Sequence, residues 1–150
     1  MKPLNLPSFE PKIRQTADGK LSIYDELRKR FVALTPEEWV RQHFIHYLIY
    51  IKGYPQALLA NEMAITLNST SKRCDSVLFT PQMQPHMIME YKAPHVPITQ
   101  KVFDQITRYN MVLHVEYLVV TNGLQHYCVK LDQKDNRYTF LEDVPVYENL

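Results

Sequence analysis

Apolar positions along the chain switch between two periods. From Val40, the residues Phe44, Tyr47, Leu48 and Ile51 recur at helical spacing. Thr35-Pro36-Glu37-Glu38 before them supplies an N-cap threonine, a proline at the first helical position and a glutamate three residues after the cap, the signature of a capping box. Gly53-Tyr54-Pro55 closes the run, so a first helix is expected over about 36–52. Strand-like segments follow at 60–67, 75–79 and 87–92, with Asn68-Ser69-Thr70-Ser71 as a polar turn after the first. In the third, alternation puts Ile88, Glu90 and Lys92 on one face and Met87, Met89 and Tyr91 on the other. A second helix is expected from Thr99 to Leu113, with Val102, Ile106, Tyr109 and Leu113 as its buried stripe. Tyr117-Leu118-Val119-Val120-Thr121 is apolar enough to be a strand covered on both faces, and Asn122-Gly123 turns it into a return strand over 126–131.

The flanks are patterned more loosely. Residues 1–34 read as an irregular arm or hairpin packed on the core, with Pro3, Pro7 and Pro11, a turn at Asp18-Gly19 and a short strand at Leu21-Ser22-Ile23-Tyr24. Residues 132–150 read as an acidic C-terminal extension carrying one edge strand at Tyr138-Thr139-Phe140. The order helix, three strands, helix, two strands implies an α/β fold with a mixed sheet, the core running over 35–131 of one domain overall.

Composition narrows the function classes. With 150 residues the chain is long enough for one sizeable core. No run of roughly 18 apolar residues reads as a membrane span, and the N-terminal residues lack the apolar centre of a secretory signal. Cys74 and Cys128, each in an apolar segment, read as reduced thiols, so a cytoplasmic location is expected. None of the three glycines opens a phosphate-binding loop of the GxxxxGK[ST] type, so no such ATP site is expected. Net charge is +1, with seven basic and four acidic residues in 1–30 against two basic and five acidic in 131–150. That asymmetry allows a local basic surface, or simply solvated faces.

One cluster bears chemistry. Glu90 and Lys92 share a face of a strand expected to be buried, where charges are costly unless paired or bound to something. A hairpin would bring Asp75 beside Glu90, and two carboxylates at one spot are usually justified by a hard divalent cation. With an ammonium alongside, such a set supports hydrolysis of a phosphodiester. The competing reading is a structural Glu–Lys ion pair on an edge strand. The same E-x-K spacing recurs at Glu10-Pro11-Lys12, in a proline-rich stretch. Gln105 and Tyr109 lie four apart on the second helix and therefore on one side of it.

Asp75, Glu90-Tyr91-Lys92, Gln105 and Tyr109, in this order, resemble the PD-(D/E)XK nuclease superfamily. More narrowly, the segments at 35–42, 72–75, 90–94, 103–110 and 118–123 are similar to the N-terminal domain of type I restriction enzyme R proteins, over roughly residues 12–131. The resemblance implies a restriction-endonuclease-like αβββαβ core, a mixed central sheet flanked by helices, and a Mg2+- or Mn2+-dependent DNA endonuclease whose attacking water releases a 3′-hydroxyl. Carried over, Asp75, Glu90 and Lys92 are the catalytic residues. Asp75, Glu90 and the Tyr91 carbonyl are the metal ligands, and Gln105 and Tyr109 support the site. An acidic residue from the first helix is also implied. Glu37 is expected to fill this place, since Glu38 is already accounted for by the capping box. Cys74 stands where the superfamily has its eponymous proline. Type I R proteins join this domain to an ATP-driven motor, for which this chain has no loop.

Lys72, Arg73, Lys101 and Arg108 are candidate phosphate contacts for DNA, or solvated charges. A homodimer or a restriction-type assembly is the expected setting. The alternative to an enzyme is a nuclease-like module that binds DNA or protein without cutting. His43 and His46 offer half of a zinc site with nothing spaced to complete it. Cys128 with His126 lacks the glycine turn a nucleophile site would need.

Overall fold

The computed structural model describes residues 1–67 and 69–150. The N-terminal segment is more ordered than the arm expected from sequence. It forms an antiparallel three-stranded sheet of β1 (Ile13–Gln15), β2 (Leu21–Asp25) and β3 (Arg30–Ala33). Its strands are too short to carry a readable period, and two side-chain-built turns set their register instead. Gly19, at φ +84°, completes the first turn, where Thr16 N–H donates to the Lys20 carbonyl at 2.9 Å. At the second, the Asp25 carboxylate accepts from the backbone N–H groups of Leu27 (2.8 Å) and Arg28 (3.1 Å).

Helix α1 (Pro36–Tyr50) starts as expected, with the Thr35 hydroxyl accepting from Glu38 N–H at 3.1 Å. It ends where Gly53 takes a left-handed φ of +76° and Tyr54 N–H returns to the Leu48 carbonyl at 2.9 Å. Then come β4 (Leu59–Leu67), β5 (Thr70–Phe79), β6 (Pro85–Tyr91), α2 (Gln100–Met111), β7 (Tyr117–Thr121), β8 (His126–Asp132) and β9 (Arg137–Leu141). The six strands β4 to β9 lie in chain order in one mixed sheet. All neighbours are antiparallel except β6 and β7, which are parallel and joined through α2. The core α1-β4-β5-β6-α2-β7 is thus the αβββαβ arrangement. The polar turn expected over 68–71 falls partly on Asn68, outside the described residues, and Thr70 and Ser71 already belong to β5.

The sheet is covered on both faces. Val40, Phe44, Ile45 and Leu48 of α1 pack against Met87, Met89, Tyr91, Tyr117, Val119 and Cys128. On the opposite face Phe103 of α2 packs with Ile88, Leu118, Val120 and Val129. The alternation read along residues 87–92 therefore holds, and every residue of β7 is buried. Cys74 and Cys128 are free buried thiols. Among the described residues no helix is long and apolar enough to cross a membrane.

Helix α2 is rotated about one residue from the stripe read in the sequence. Its buried positions are Phe103, Thr107 and Asn110, Val102 and Ile106 are only half-buried, and Tyr109 is 47% exposed. Thr107 and Asn110 tolerate burial because their side chains donate to helix carbonyls, Thr107 to Asp104 (3.0 Å) and Asn110 to Ile106 (2.9 Å).

Candidate functional site

The end of β6 and the middle of β5 bring Asp75 and Glu90 together. Glu90 lies on the α2 face, one step beyond the Ser76–Met89 pair of the β5–β6 ladder and so across from Asp75, whose charge acts on it. Asp75 is fixed through one oxygen: its Oδ2 accepts from Tyr91 N–H at 2.9 Å. Glu90 Oε1 is buried with no hydrogen-bond partner among the described residues. Burial first, and then the negative charge of Asp75, push the Glu90 carboxyl up to about 9; the nearby Lys92 ammonium only partly opposes this. Cys74, in contact with the same pocket of charge, is pushed up to about 12 by burial and by Glu90 and Asp75. Lys92 follows β6 directly, its N–H donating to the Thr121 carbonyl at 2.9 Å. Among the described residues its ammonium makes no ion pair within 4.0 Å, so it is not the structural partner of Glu90 that the competing reading required.

A second group of charges supports this pair from the α1 side. Glu38, 5% exposed, accepts from Arg41 Nη2 (2.6 Å) and Arg28 Nη2 (2.8 Å) at Oε1, and from Arg41 Nε (2.9 Å) and Gln42 Nε2 (3.0 Å) at Oε2. Arg41 Nη1 donates both to Glu62 Oε1 and to the Asp75 carbonyl, each at 2.8 Å. Burial disfavours all these charges, yet the hydrogen bonds outweigh it. Glu38 and Glu62 are held below the ordinary carboxylate range, and Arg41 well above its usual value. The chain of contacts continues from Arg28 to Asp25, from Asp25 to Asn61 Nδ2 (2.9 Å), from Asn61 to Ser76 Oγ (2.6 Å) and on to the Tyr91 hydroxyl (2.9 Å).

The first-helix assignment is corrected here. Glu37 is exposed, and Glu38 is the inward acid. A capping-box glutamate would have returned to the Thr35 backbone. Two arginines and Gln42 offer Glu38 stronger, charge-assisted donors, and the helix is set to satisfy them. Gln105 and Tyr109 do share one side of α2, but both are exposed, and neither hydrogen-bonds to Asp75 or Glu90. Tyr109 instead lies under the Lys72 ammonium, 3.6 Å from ring centroid to Nζ. Arg73 spends its Nε on Glu62 Oε2 at 3.0 Å, while Lys101 and Arg108 stand exposed on α2. His43 and His46 pack their rings on Phe9, and Trp39 Nε1 donates to the Lys2 carbonyl at 3.1 Å.

The family model described as type I restriction enzyme R protein N terminus (HSDR_N) matches residues 36–145, a span that contains both acids, Lys92 and all of the mixed sheet. The chain belongs to this family. A solved structure described as the fragment of an HsdR subunit of a type I restriction enzyme from Vibrio vulnificus YJ016 superposes with a TM-score of 0.51 at 20% sequence identity. The match covers 75% of this chain and 24% of that one, so the present R-protein N-terminal domain spans about a quarter of its neighbour's length. A search of curated proteins gives no match.

Sequence reasoning about this R-protein N-terminal domain missed Arg41, Glu62, Asp25 and Arg28. Glu62 carried a signal: it is the lone charge inside the apolar strand 59–67. Arg41 carried another, three residues after an acid on the buried side of α1. Asp25 and Arg28 come from the N-terminal sheet, whose approach to α1 no local pattern announces.

Proposed function

We propose that this domain is a Mg2+- or Mn2+-dependent DNA endonuclease, working within a restriction-type assembly or as a homodimer. The observation that carries the proposal is the convergence of Asp75 with Glu90, whose buried Oε1 has no partner and whose proton is held up to about 9. A carboxyl pair arranged this way is poorly stabilised by itself and well matched to a hard cation, which replaces the proton and accepts both oxygens. Among the described residues no three His, Cys, Asp or Glu side chains cluster as a metal site. In this reading the two carboxylates are the side-chain donors, and the Tyr91 carbonyl at the end of β6 is the further oxygen that the resemblance implies. Bound there, the cation supplies Lewis-acid stabilisation of charge at a phosphodiester. Asp75, held by Tyr91 N–H, offers its remaining oxygen in a fixed direction. Lys92, without an ion pair among the described residues, presents its ammonium to the phosphate oxygen on which charge develops and favours the ionised form of Glu90. In this reading Lys72, Lys101 and Arg108 hold the DNA backbone, with Arg73 contributing what Glu62 leaves free.

Plasmid cleavage in magnesium buffer tests the reading. Asp75→Ala and Lys92→Ala are expected to abolish cutting with the fold intact. Unchanged cutting by both variants would show that the roles are wrong. Retained DNA binding without cutting by the parent, and no manganese uptake at millimolar concentration, would make the domain a non-catalytic DNA- or protein-binding module instead.

A further inference from the structure

Glu62 is anomalous. It sits in the middle of β4 with φ +56°, a left-handed conformation that is strained for a residue with a side chain and persists only where its surroundings enforce it. On either side the ladder is regular, Asn61 opposite Ser76 and Met63 opposite Cys74, but the step between them, Glu62 opposite Asp75, is missing. Asp75's carbonyl takes its hydrogen bond from Arg41 Nη1 instead. The same nitrogen holds the Glu62 carboxylate, so one guanidinium group ties together both residues of the missing step.

The kink changes which way the strands face. Leu59 and Asn61 look toward α1, Asn61 through its bond to Ser76, whereas Met63 and Ile65 pack on the α2 side. Strict alternation would have kept all four on one face. The reset occurs at the level of Asp75, the residue that must reach Glu90 on the α2 face.

We propose that Arg41 is a positioning residue for Asp75, clamping Glu62 and the Asp75 carbonyl together so that the β4–β5 kink delivers the Asp75 carboxylate to Glu90. Arg41 itself approaches from the α1 side and acts through the backbone. Its own orientation is fixed by the two-pronged bond to Glu38, which Arg28 and Gln42 lock from behind. The geometry requires an arginine: three nitrogens in a planar fork serve Glu38, Glu62 and a carbonyl at once, which a lysine ammonium cannot reach together. The inference rests on the cation-dependent reading above for its functional meaning, but not for its structural content.

The test compares the parent with Arg41→Lys. A second variant, Arg41→Met combined with Glu38→Gln, removes both buried charges so that no uncompensated carboxylate threatens the fold. Two quantities are read: manganese affinity by calorimetry, and amide hydrogen exchange at Tyr91, whose N–H reports directly on the Asp75 carboxylate. Manganese affinity is expected to fall by about 10–100-fold, the usual effect of losing an outer-shell support. Exchange at Tyr91 is expected to rise about tenfold while that of Val119, deep in β7, is unchanged. Variants that melt earlier yet keep parental manganese affinity and Tyr91 protection would overturn the proposal, leaving Arg41 a stabilising residue only. Should the parent itself take up no manganese, the cation reading fails. Tyr91 exchange then decides alone, faster exchange supporting the positioning role and unchanged exchange refuting it.

Discussion

Glu90 at the centre responds oppositely to pH from the acids that support the site. Glu90 binds a proton in the folded chain at pH values where an ordinary glutamate, near 4.5, has lost it. Between about 4.5 and 9 the folded state therefore holds more protons than the unfolded state, so the Glu90 contribution is full at the acid end and disappears as pH rises through 9. Asp25, Glu38 and Glu62 are held below the ordinary range, so their contributions are full above it and disappear as pH falls through their lowered values. Metal-free protein is thus expected to melt at lower temperature as pH is raised from 5 to 9, and Glu90→Gln is expected to flatten that slope. An equal slope in parent and variant, measured by thermal denaturation, would contradict the burial argument. The neighbouring glutamates of α1 give a second contrast. Glu38→Ala takes the shared carboxylate from buried Arg41 and half-buried Arg28 and is expected to cost about 3–5 kcal/mol in chemical denaturation, while the exposed Glu37→Ala stays within about 0.5 kcal/mol. The sequence motif placed a glutamate correctly at the third helical position but could not say which donor would claim it. That choice belongs to Arg41 and Gln42 on the helix together with Arg28, from the turn that precedes β3.

Among the elements, α1 was readable because its boundary signals are chemical: a threonine cap, a proline and a closing glycine each act within one turn. Thr35→Ala is expected to destabilise the domain by about 1 kcal/mol, since it releases Glu38 N–H, with denaturant melts as the check. The strands β6 and β7 were readable because both faces are covered and alternation sorts cleanly to α1 and α2. Helix α2 was placed but misphased. Its true inward positions include Thr107 and Asn110, polar residues that each donate to a helix carbonyl, so counting apolar residues turned the helix by about one position and carried Tyr109 inward. The kink at Glu62 was illegible for a different reason. A left-handed glutamate inside a strand has no local preference behind it, and here Arg41 and Arg73 hold its carboxylate from two sides.

At the scale of the whole molecule, segments distant in sequence close over the core and the site's supporting charges. The N-terminal stretch pairs with the β7–β8 turn, Asn5 N–H to the Gly123 carbonyl at 2.8 Å, and Leu4 lies where a side chain on Gly123 would stand, 2.7 Å from the position of a Cβ. Gly123 also has φ +85°, so Gly123→Ala meets both strain and collision. The variant is expected to lose the N-terminal clasp, seen as selective exchange of the Asn5 amide, before the mixed sheet unfolds. At the other end Tyr54 donates to the Pro145 carbonyl at 2.9 Å and Val144 is buried, which makes the acidic tail part of the α1-side core. The αβββαβ elements, from α1 to β7, lie inside the span that the family model matches. The chemistry hangs on the small volume between Asp75 and Glu90. A crystal of the parent soaked in manganese and measured for anomalous scattering is the most direct examination of it. The expected result is one peak touching the Asp75 and Glu90 carboxylates and the Tyr91 carbonyl, absent from Glu90→Ala crystals. No peak there at saturating manganese, or a peak that survives the substitution, would contradict the account.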